Sequence, residues 1–142
     1  MKELHGTASA AVTAPAQESY ELLRAVEGYP RWYPEVVLEA RVIEPEKARA
    51  KLHVAYGPLV RDFDLTLAIT ASEPTSVQLT RVPHDSRDPE QFEVTWTIAD
   101  GTITVSLDAN LSVPRLLPVG AIGQSMASGF VEAAARALSR SR

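Results

Sequence analysis

The sequence predicts an α+β fold in which an antiparallel sheet of six to seven strands packs against a long C-terminal helix. Apolar and polar residues alternate with a period of two through most of the chain between residues 49 and 111. The period becomes helical after Pro118, and a short helical segment follows the first strand. Short strands joined mostly by tight turns are typical of an antiparallel sheet with one wet face, and the helix can cover the other.

Length and composition predict a single domain over residues 1–142. A chain of this size buries roughly two-thirds of its unfolded surface. The net charge is −4, the pI is about 5.4, and no basic run is present. These values argue against nucleic-acid binding, which needs clustered Lys and Arg. The absence of cysteine excludes disulfides, thiolate catalysis and cysteine-based zinc sites.

The hydropathy pattern predicts no cleaved signal peptide and no stable membrane insertion. The N-terminus through Val12 has no apolar core of the kind that a signal peptide needs. The most apolar long stretch, Leu116 to Leu138, contains Gln124, Glu132 and Arg136. Charges in mid-span cost several kcal/mol each in a bilayer. We therefore expect a cytoplasmic protein.

The first elements are a short strand over Gly6–Thr13 and a helix that begins near Pro15, where proline is tolerated. Two prolines surround three aromatic side chains in residues 29–34, which predicts a kinked short helix or a structured turn. The first helix has one apolar face, which extends up to Gly28 and comprises Ala16, Tyr20, Leu22, Leu23 and Val26.

From Glu35 onward the period is two, and the pattern predicts six further strands. Hairpin turns are expected at Gly57-Pro58 and at Asp100-Gly101. The alternating residues of the dry face are Ala50, Leu52, Val54, Tyr56, Phe63, Leu65, Leu67, Ile69, Val77, Leu79, Phe92, Val94, Trp96, Ile98, Ile103, Val105, Leu107, Ala109 and Leu111. Their partners in the alternation are mostly polar, so the opposite face of the sheet is expected to be wet.

A closing helix is predicted from about Pro118 to Ser139. Such a helix is roughly 33 Å long, similar to a ten-residue strand, so it can lie along the whole dry face. Three glycines within it, at positions 120, 123 and 129, are tolerable where the helix backbone closely approaches the sheet or a ligand. The apolar stripe comprises Val119, Ile122, Met126, Phe130, Ala133 and Ala137, and the polar side comprises Gln124, Ser128, Glu132 and Arg136.

The order of these elements and three sequence segments carry a family resemblance. The segments are Val12-Thr13-Ala14-Pro15-Ala16, Tyr29-Pro30-Arg31-Trp32-Tyr33-Pro34-Glu35-Val36-Val37 and Gly129-Phe130-Val131-Glu132-Ala133-Ala134. Over nearly its whole length the chain resembles the polyketide cyclase/dehydrase and lipid-transport family of the START-like (SRPBCC) superfamily. The resemblance implies a helix-grip fold, in which a curved sheet grips the last helix and leaves a cavity between them. That superfamily includes cyclases, lipid carriers, coenzyme-Q-binding proteins and ribosome-directed toxins.

Ten residues are candidates for contact with a ligand in such a cavity. Arg61 and Arg81 share, by alternation, the face of the inward apolar residues. An unpaired charge in an apolar core is very costly, so each arginine needs a partner, a ligand anion or an exit to water at a strand end. The ligand anion could be a carboxylate, phosphate or enolate held at the pocket mouth. The other eight, which could instead belong only to the core, are Trp32, Tyr33, Tyr56, Phe63, Phe92, Trp96, Met126 and Phe130.

The remaining titratable residues form no recognisable catalytic or metal-binding motif. The three histidines are too scattered for a metal site, and His53 is expected on the exposed face of its strand. Asp62 and Asp64 share the wet face of a strand, roughly 7 Å apart. His84 lies in a polar loop over residues 83–89. It could act as a general base, or the segment could be an ordinary solvated loop at the pocket entrance. No catalytic residue, metal or cofactor is therefore predicted.

The favoured interpretation is a protein that binds a small hydrophobic molecule, such as a lipid, a polyketide or an isoprenoid-like compound. The first alternative is a polyketide aromatase/cyclase, in which Arg61 or Arg81 stabilises an enolate and Tyr56 or His84 moves protons. The second alternative is a coenzyme-Q-binding or ribosome-associated interaction protein. A homodimer is compatible with all three interpretations.

Overall fold

The computed structural model describes residues 2–56, 59–112 and 118–140. Between the first and second strands the chain forms two short α-helices, which are separated by a 3-10 turn at Val26–Gly28. The elements are β1 (Lys2–Ala11), α1 (Ala16–Arg24), α2 (Tyr29–Trp32), β2 (Val37–Glu44), β3 (Lys47–Tyr56), β4 (Leu59–Ser72), β5 (Ser76–Arg81), β6 (Gln91–Ala99), β7 (Thr102–Leu111) and α3 (Val119–Arg140).

The seven strands form one antiparallel sheet in the order β1-β7-β6-β5-β4-β3-β2. From β2 to β7 each strand pairs with its neighbour in the sequence, whereas β1 pairs with β7 along its whole length. The sheet thus has two edge strands, β1 and β2. The strand number, the short helices after β1 and the long closing helix confirm the predicted α+β fold and the helix-grip architecture that the family resemblance implied.

Some element boundaries differ from the prediction. The first strand begins at Lys2 rather than Gly6, because pairing with β7 extends it through a polar stretch in which Leu4 is buried. The predicted hairpin at Asp100-Gly101 is confirmed, and Gly101 has a φ of 86°, which favours glycine. The predicted turn at Gly57-Pro58 lies outside the described residues.

Alternation along the strands produces one apolar face that packs against the helices. Of the dry-face residues predicted from the sequence, all are buried except Tyr56, which is half-buried. On the opposite face Asp62 and Asp64 are exposed, as predicted. Asp62 pairs with His53 at 2.6 Å and Asp64 with Arg49 at 3.3 Å, so these carboxylates belong to the wet surface.

Helix α3 lies across the apolar face with its predicted stripe turned inward. Ile122, Met126 and Phe130 are buried, and Val119 in the first turn is half-buried. The helix packs mainly on β1 and β7. The predicted stripe is therefore confirmed for its four central members, which include Ala133, whereas its two end members, Val119 and Ala137, are half-buried.

The backbones of α3 and β1 touch where two glycines face each other. A Cβ on Gly123 would overlap the carbonyl oxygen of His5, and a Cβ on Gly6 would overlap that of Gly123. One residue further along, the Gln124 amide accepts from the Thr7 backbone N–H at 3.2 Å and donates to its carbonyl at 2.8 Å. The predicted close approach of helix glycines to the sheet is confirmed at Gly123, and α3 covers the free edge of β1.

Candidate functional site

The inner face of the sheet is buried along its length, with only small differences in exposure among its core residues. Trp96, on β6 towards the β6–β7 turn, is completely buried. The least buried of the inward core residues on the sheet are Phe63, Phe92 and Ala109, at 5–7% exposure, and Ile122 of α3 has 5%. We call the region lined by these four residues the Phe63 end. It lies where β4 and β6 begin and where the first turns of α3 pass over the sheet.

Two tyrosines meet over the backbone of α3 beside the inner face. Tyr33 follows α2, and its backbone is fixed because its N–H donates to Tyr29 at 2.8 Å and its carbonyl accepts from Val37 at 2.9 Å. A Cβ on Gly129 would overlap the Tyr33 hydroxyl and would lie 3.8 Å from the Tyr56 hydroxyl. Gly129 therefore leaves the space that both phenols occupy, and we call Tyr33 and Tyr56 the tyrosine pair.

The tyrosine pair is neutral at physiological pH. Burial is the main reason that the pKa of Tyr33 is raised, and the adjacent Tyr56 phenol raises it further. Burial also raises the pKa of Tyr56. A neutral phenol can donate a hydrogen bond to a carbonyl or accept one from a hydroxyl, but it is not a base near pH 7. The pair is thus a polar contact point within apolar surroundings.

Phe130 joins the tyrosine pair to the core of α3. Its ring lies 5.0 Å from the ring of Tyr33 at an angle of 74°, which is the edge-to-face geometry that aromatic pairs favour. Met126, one turn earlier on α3, is also buried. Of the predicted ligand contacts, the structure therefore brings Tyr33, Tyr56 and Phe130 into one cluster.

Trp32 lies beside this cluster, on α2. Its ring is parallel to that of Tyr33, with centroids 6.3 Å apart, and lies 4.6 Å from that of Tyr29. Trp32 also lines a surface cleft of about 560 Å³ between α1, α2 and α3, together with Leu138. Its Nε1 is buried and has no hydrogen-bond partner within the described part of the chain. A buried donor left in this state costs about 1–3 kcal/mol.

Arg61 is held by the protein's own carboxylate. Its guanidinium donates to both oxygens of Glu90, at 2.7 and 2.9 Å, and to the Ser112 carbonyl at 3.3 Å. The guanidinium carbon also lies 4.2 Å above the centre of the Phe63 ring. This bidentate contact lowers the pKa of Glu90. The arginine thus shares the inner face with Phe63, as predicted, but its charge is neutralised.

Arg81 is neutralised in the same way. It donates to Asp88 at 2.6 Å and to the backbone carbonyl of Glu90 at 2.9 Å, with both charged side chains 13% exposed. Of the three possibilities inferred from the sequence, the structure shows the first, a partner for each arginine, and the partners are residues 88 and 90 of the chain itself. We call residues 82–90 the 82–90 loop, and the two arginines fasten it to the sheet. The acidic residues on either side of Pro89 were the sequence signal for this role.

The salt bridge between Arg81 and Asp88 makes the anchoring of the 82–90 loop sensitive to acid. The Arg81 guanidinium, and after it the His84 backbone N–H, hold the pKa of Asp88 well below its usual value of 3.8. A carboxyl group whose pKa is lowered by folding stabilises the folded state. That stabilisation is complete at pH values above the pKa of the unfolded state, and it is lost as the pH falls towards the pKa of the folded state. We expect Asp88→Asn to be less stable than wild type in urea unfolding, by an amount that is constant above about pH 5 and shrinks below about pH 4.

Asp85→Asn is the control for this experiment, because it removes another carboxylate from the same loop. Asp85 is exposed, and its side chain pairs with no arginine side chain in the described structure. A stability difference for Asp88→Asn that stayed constant down to about pH 3 would contradict the role of the ion pair. His84, the histidine of the loop, is exposed and lies outside the aromatic cluster.

Two other properties follow from the described residues. No group of three or more His, Cys, Asp or Glu side chains among them is arranged to hold a metal ion. Within the same residues no helix is long and apolar enough to cross a membrane.

Comparison with structures of known proteins supports the fold. The protein TTHA0849 from Thermus thermophilus has a TM-score of 0.72 at 17% identity, with 99% of each chain covered. The Zhui aromatase/cyclase from Streptomyces sp. R1128 has a TM-score of 0.69 at 15% identity, covering 98% of this chain and 95% of its own. A START superfamily protein from Mycobacterium smegmatis has a TM-score of 0.63 at 16% identity, covering 94% and 93%. At these identities the likeness shows the fold alone.

At the level of sequence, no curated protein gives a significant match. The family described as polyketide cyclase/dehydrase and lipid transport matches residues 12–138, which is most of the chain and includes the α2 segment and all but the last residues of α3. The chain therefore belongs to the polyketide cyclase/dehydrase and lipid transport family of the START/SRPBCC superfamily.

Proposed function

We propose that the protein binds a small hydrophobic molecule between the inner face of the sheet and α3, at the Phe63 end. The observation that carries the proposal is the neutral tyrosine pair, a buried polar contact point beside an otherwise apolar face. Ligand sites in proteins typically combine apolar walls with a small number of such polar groups. The proposed contacts are Tyr33, Tyr56, Phe63, Phe92, Met126 and Phe130.

The charges around the site suggest the class of ligand. Two cations at the adjacent ends of β4 and β5, Arg61 and Arg81, are already paired with Glu90 and Asp88. A ligand carboxylate would have to displace those partners, whereas a hydroxyl or a carbonyl needs only one phenol hydrogen bond. The proposed ligand is thus neutral and mainly apolar, with one hydroxyl or carbonyl group, like a polyketide or an isoprenoid alcohol.

A polyketide aromatase/cyclase is the second candidate, suggested by the family description and by the name of the Zhui protein. An enolate intermediate needs a positive or hydrogen-bonding group that is free to meet it. The paired arginines favour binding without turnover, and the phenols of the tyrosine pair remain as possible donors. Cyclisation of a poly-β-ketone by the wild type that is lost in Tyr33→Phe would establish the enzyme in place of the carrier.

Tryptophan fluorescence tests the binding proposal, since the chain has two tryptophans and one of them stacks on the tyrosine pair. Titration with a neutral polycyclic phenol or a polyprenyl alcohol is expected to change the emission, and Trp32→Phe is expected to remove most of the change. Persistence of the response in Trp32→Phe but not in Trp96→Phe would show that ligand contacts the other end of the inner face. Absence of any response and of any heat in calorimetry would overturn the proposal.

The role of the phenols has its own expected result. Loss of one neutral hydrogen bond costs about 0.5–1.5 kcal/mol, so Tyr33→Phe and Tyr56→Phe should weaken binding of an alcohol roughly twofold to tenfold. Binding of the matched hydrocarbon should be unchanged, as should binding of both ligands to the control Tyr20→Phe, which removes a phenol from α1. A free fatty acid that bound more tightly than its methyl ester would contradict the inference that the ligand is neutral and that Arg61 and Arg81 keep their own partners.

A further inference from the structure

Strand β2 presents an unusual amount of apolar surface for an edge strand. The structure describes four exposed large hydrophobic side chains, and three of them, Leu38, Val42 and Ile43, are on β2, at 42–47% exposure. The fourth is Val60. Six of the eight residues of β2 are exposed. A sheet edge with this composition is a template for pairing with another strand.

The two edge strands differ in whether a side chain bonds to their free backbone groups. On β1 the Gln124 side chain of α3 occupies the backbone N–H and carbonyl of Thr7. The residues described around β2 provide no equivalent side-chain amide along its edge. The strand also has no proline and no lysine, which commonly protect sheet edges. Its register irregularities lie near its two ends, so residues 39–42 form a regular ladder that is open on one side.

We propose that β2 pairs with β2 of a second copy of this chain, antiparallel and about a two-fold axis at Ala40, so that the two sheets become continuous. In this register Glu39 of each copy faces Arg41 of the other, and Leu38 faces Val42. Cross-strand pairs of opposite charge and of apolar residues each stabilise an antiparallel pair. The inference concerns the free edge of β2 and does not depend on the proposed ligand site.

The charges on β2 select this register among the neighbouring ones. An axis at Glu39 or at Arg41 would place identical charges directly opposite each other, which is destabilising. Within its own sheet Arg41 is paired with Arg49, and the Arg49 side chain forms a salt bridge with Asp64 at 3.3 Å. The described residues place no carboxylate within salt-bridge distance of Arg41, so Glu39 of the second copy would supply its missing counter-charge.

Sedimentation velocity over a dilution series tests the proposal, with the wild type expected to be a dimer that dissociates on dilution. Arg41→Glu and Glu39→Arg each create like-charge pairs across the axis and are expected to weaken dimerisation at least tenfold. Mixing these two variants restores opposite charges at both positions, so a heterodimer is expected although each variant alone is monomeric. Val60→Ser is the control for the apolar contacts and should leave the dimer intact, whereas Leu38→Ser should weaken it.

The register can be tested separately because the chain has no cysteine. In Ala40→Cys the two introduced thiols would face each other across the axis, within the Cα separation that a disulfide needs. Rapid oxidation to a covalent dimer is expected for Ala40→Cys and not for Val60→Cys. A monomeric wild type, or a dimer that survives Arg41→Glu and gives no cross-link through position 40, would overturn the proposal.

Discussion

Replacement of Phe130 by alanine is expected to lower the free energy of unfolding by about 3–5 kcal/mol. The side chain is 4% exposed and lies edge-on to the ring of Tyr33, so its removal leaves a void between α3 and the tyrosine pair. The rigid surroundings prevent a full collapse, because the Tyr33 backbone is fixed by hydrogen bonds on both sides. Urea unfolding followed by circular dichroism gives the value directly.

Glu132→Ala is the matched control, since Glu132 is exposed on the same helix and should change stability by less than about 0.5 kcal/mol. A loss below about 1 kcal/mol for Phe130→Ala would mean that the residue borders a roomy cavity rather than a packed core. Such a result would revise the packing described for α3, and it would enlarge the space available for a ligand.

The two glycines at the start of α3 are expected to respond to alanine in opposite directions. At Gly123 the new Cβ would overlap the His5 carbonyl, which is backbone and cannot turn away. The helix and β1 must then separate, and overpacking of this kind costs about 1–3 kcal/mol or more. At Gly120 a Cβ meets nothing within 4 Å, so the substitution should stabilise the protein by about 0.4–1 kcal/mol.

The comparison tests a specific geometry because both substitutions make the same chemical change, three residues apart on one helix. Thermal unfolding of the two variants beside wild type is sufficient to obtain the signs. Equal stabilisation by both substitutions would show that α3 does not approach β1 as closely as the structure indicates. Equal destabilisation would show that the first turn of α3 is packed as tightly as the region around Gly123.

The alternation of apolar residues was sufficient to predict the sheet and its buried face. It succeeded because residues such as Phe63, Leu65 and Leu67 have no other way to leave water in an antiparallel strand. It failed at the N-terminus of β1, where residues 2–5 are mostly polar and where pairing with β7 rather than local sequence extends the strand. Local patterns predict strands, but they do not report a partner that lies far away in the sequence.

The arrangement of the site was less predictable than the fold. Alternation correctly placed Arg61 and Arg81 on the inner side, and electrostatics required a partner for each. The acidic residues beside Pro89 were visible in the sequence, but alternation could not show that their loop folds back onto the sheet to pair Glu90 and Asp88 with the arginines. The tyrosine pair also depends on tertiary contact, because Tyr33 and Tyr56 lie on different elements and meet over Gly129. Gly129 was recognisable in the sequence as an unfavourable residue for a helix. The structure explains its presence, because a side chain there would overlap the Tyr33 hydroxyl.

The pairing of β1 with β7 imposes an order on the way in which the chain can fold. Lys2 pairs with Leu111 and Ala11 with Thr102, so β1 has no partner until β7, the last of the seven strands, has been made. The meander from β2 to β7 can form earlier, since each of its strands pairs with the one before it. Contacts between distant parts of a sequence slow folding, because the loop between them must be closed first. Completion of the sheet, and docking of α3 over β1, are therefore expected late in folding, after most of the molecule has left the ribosome.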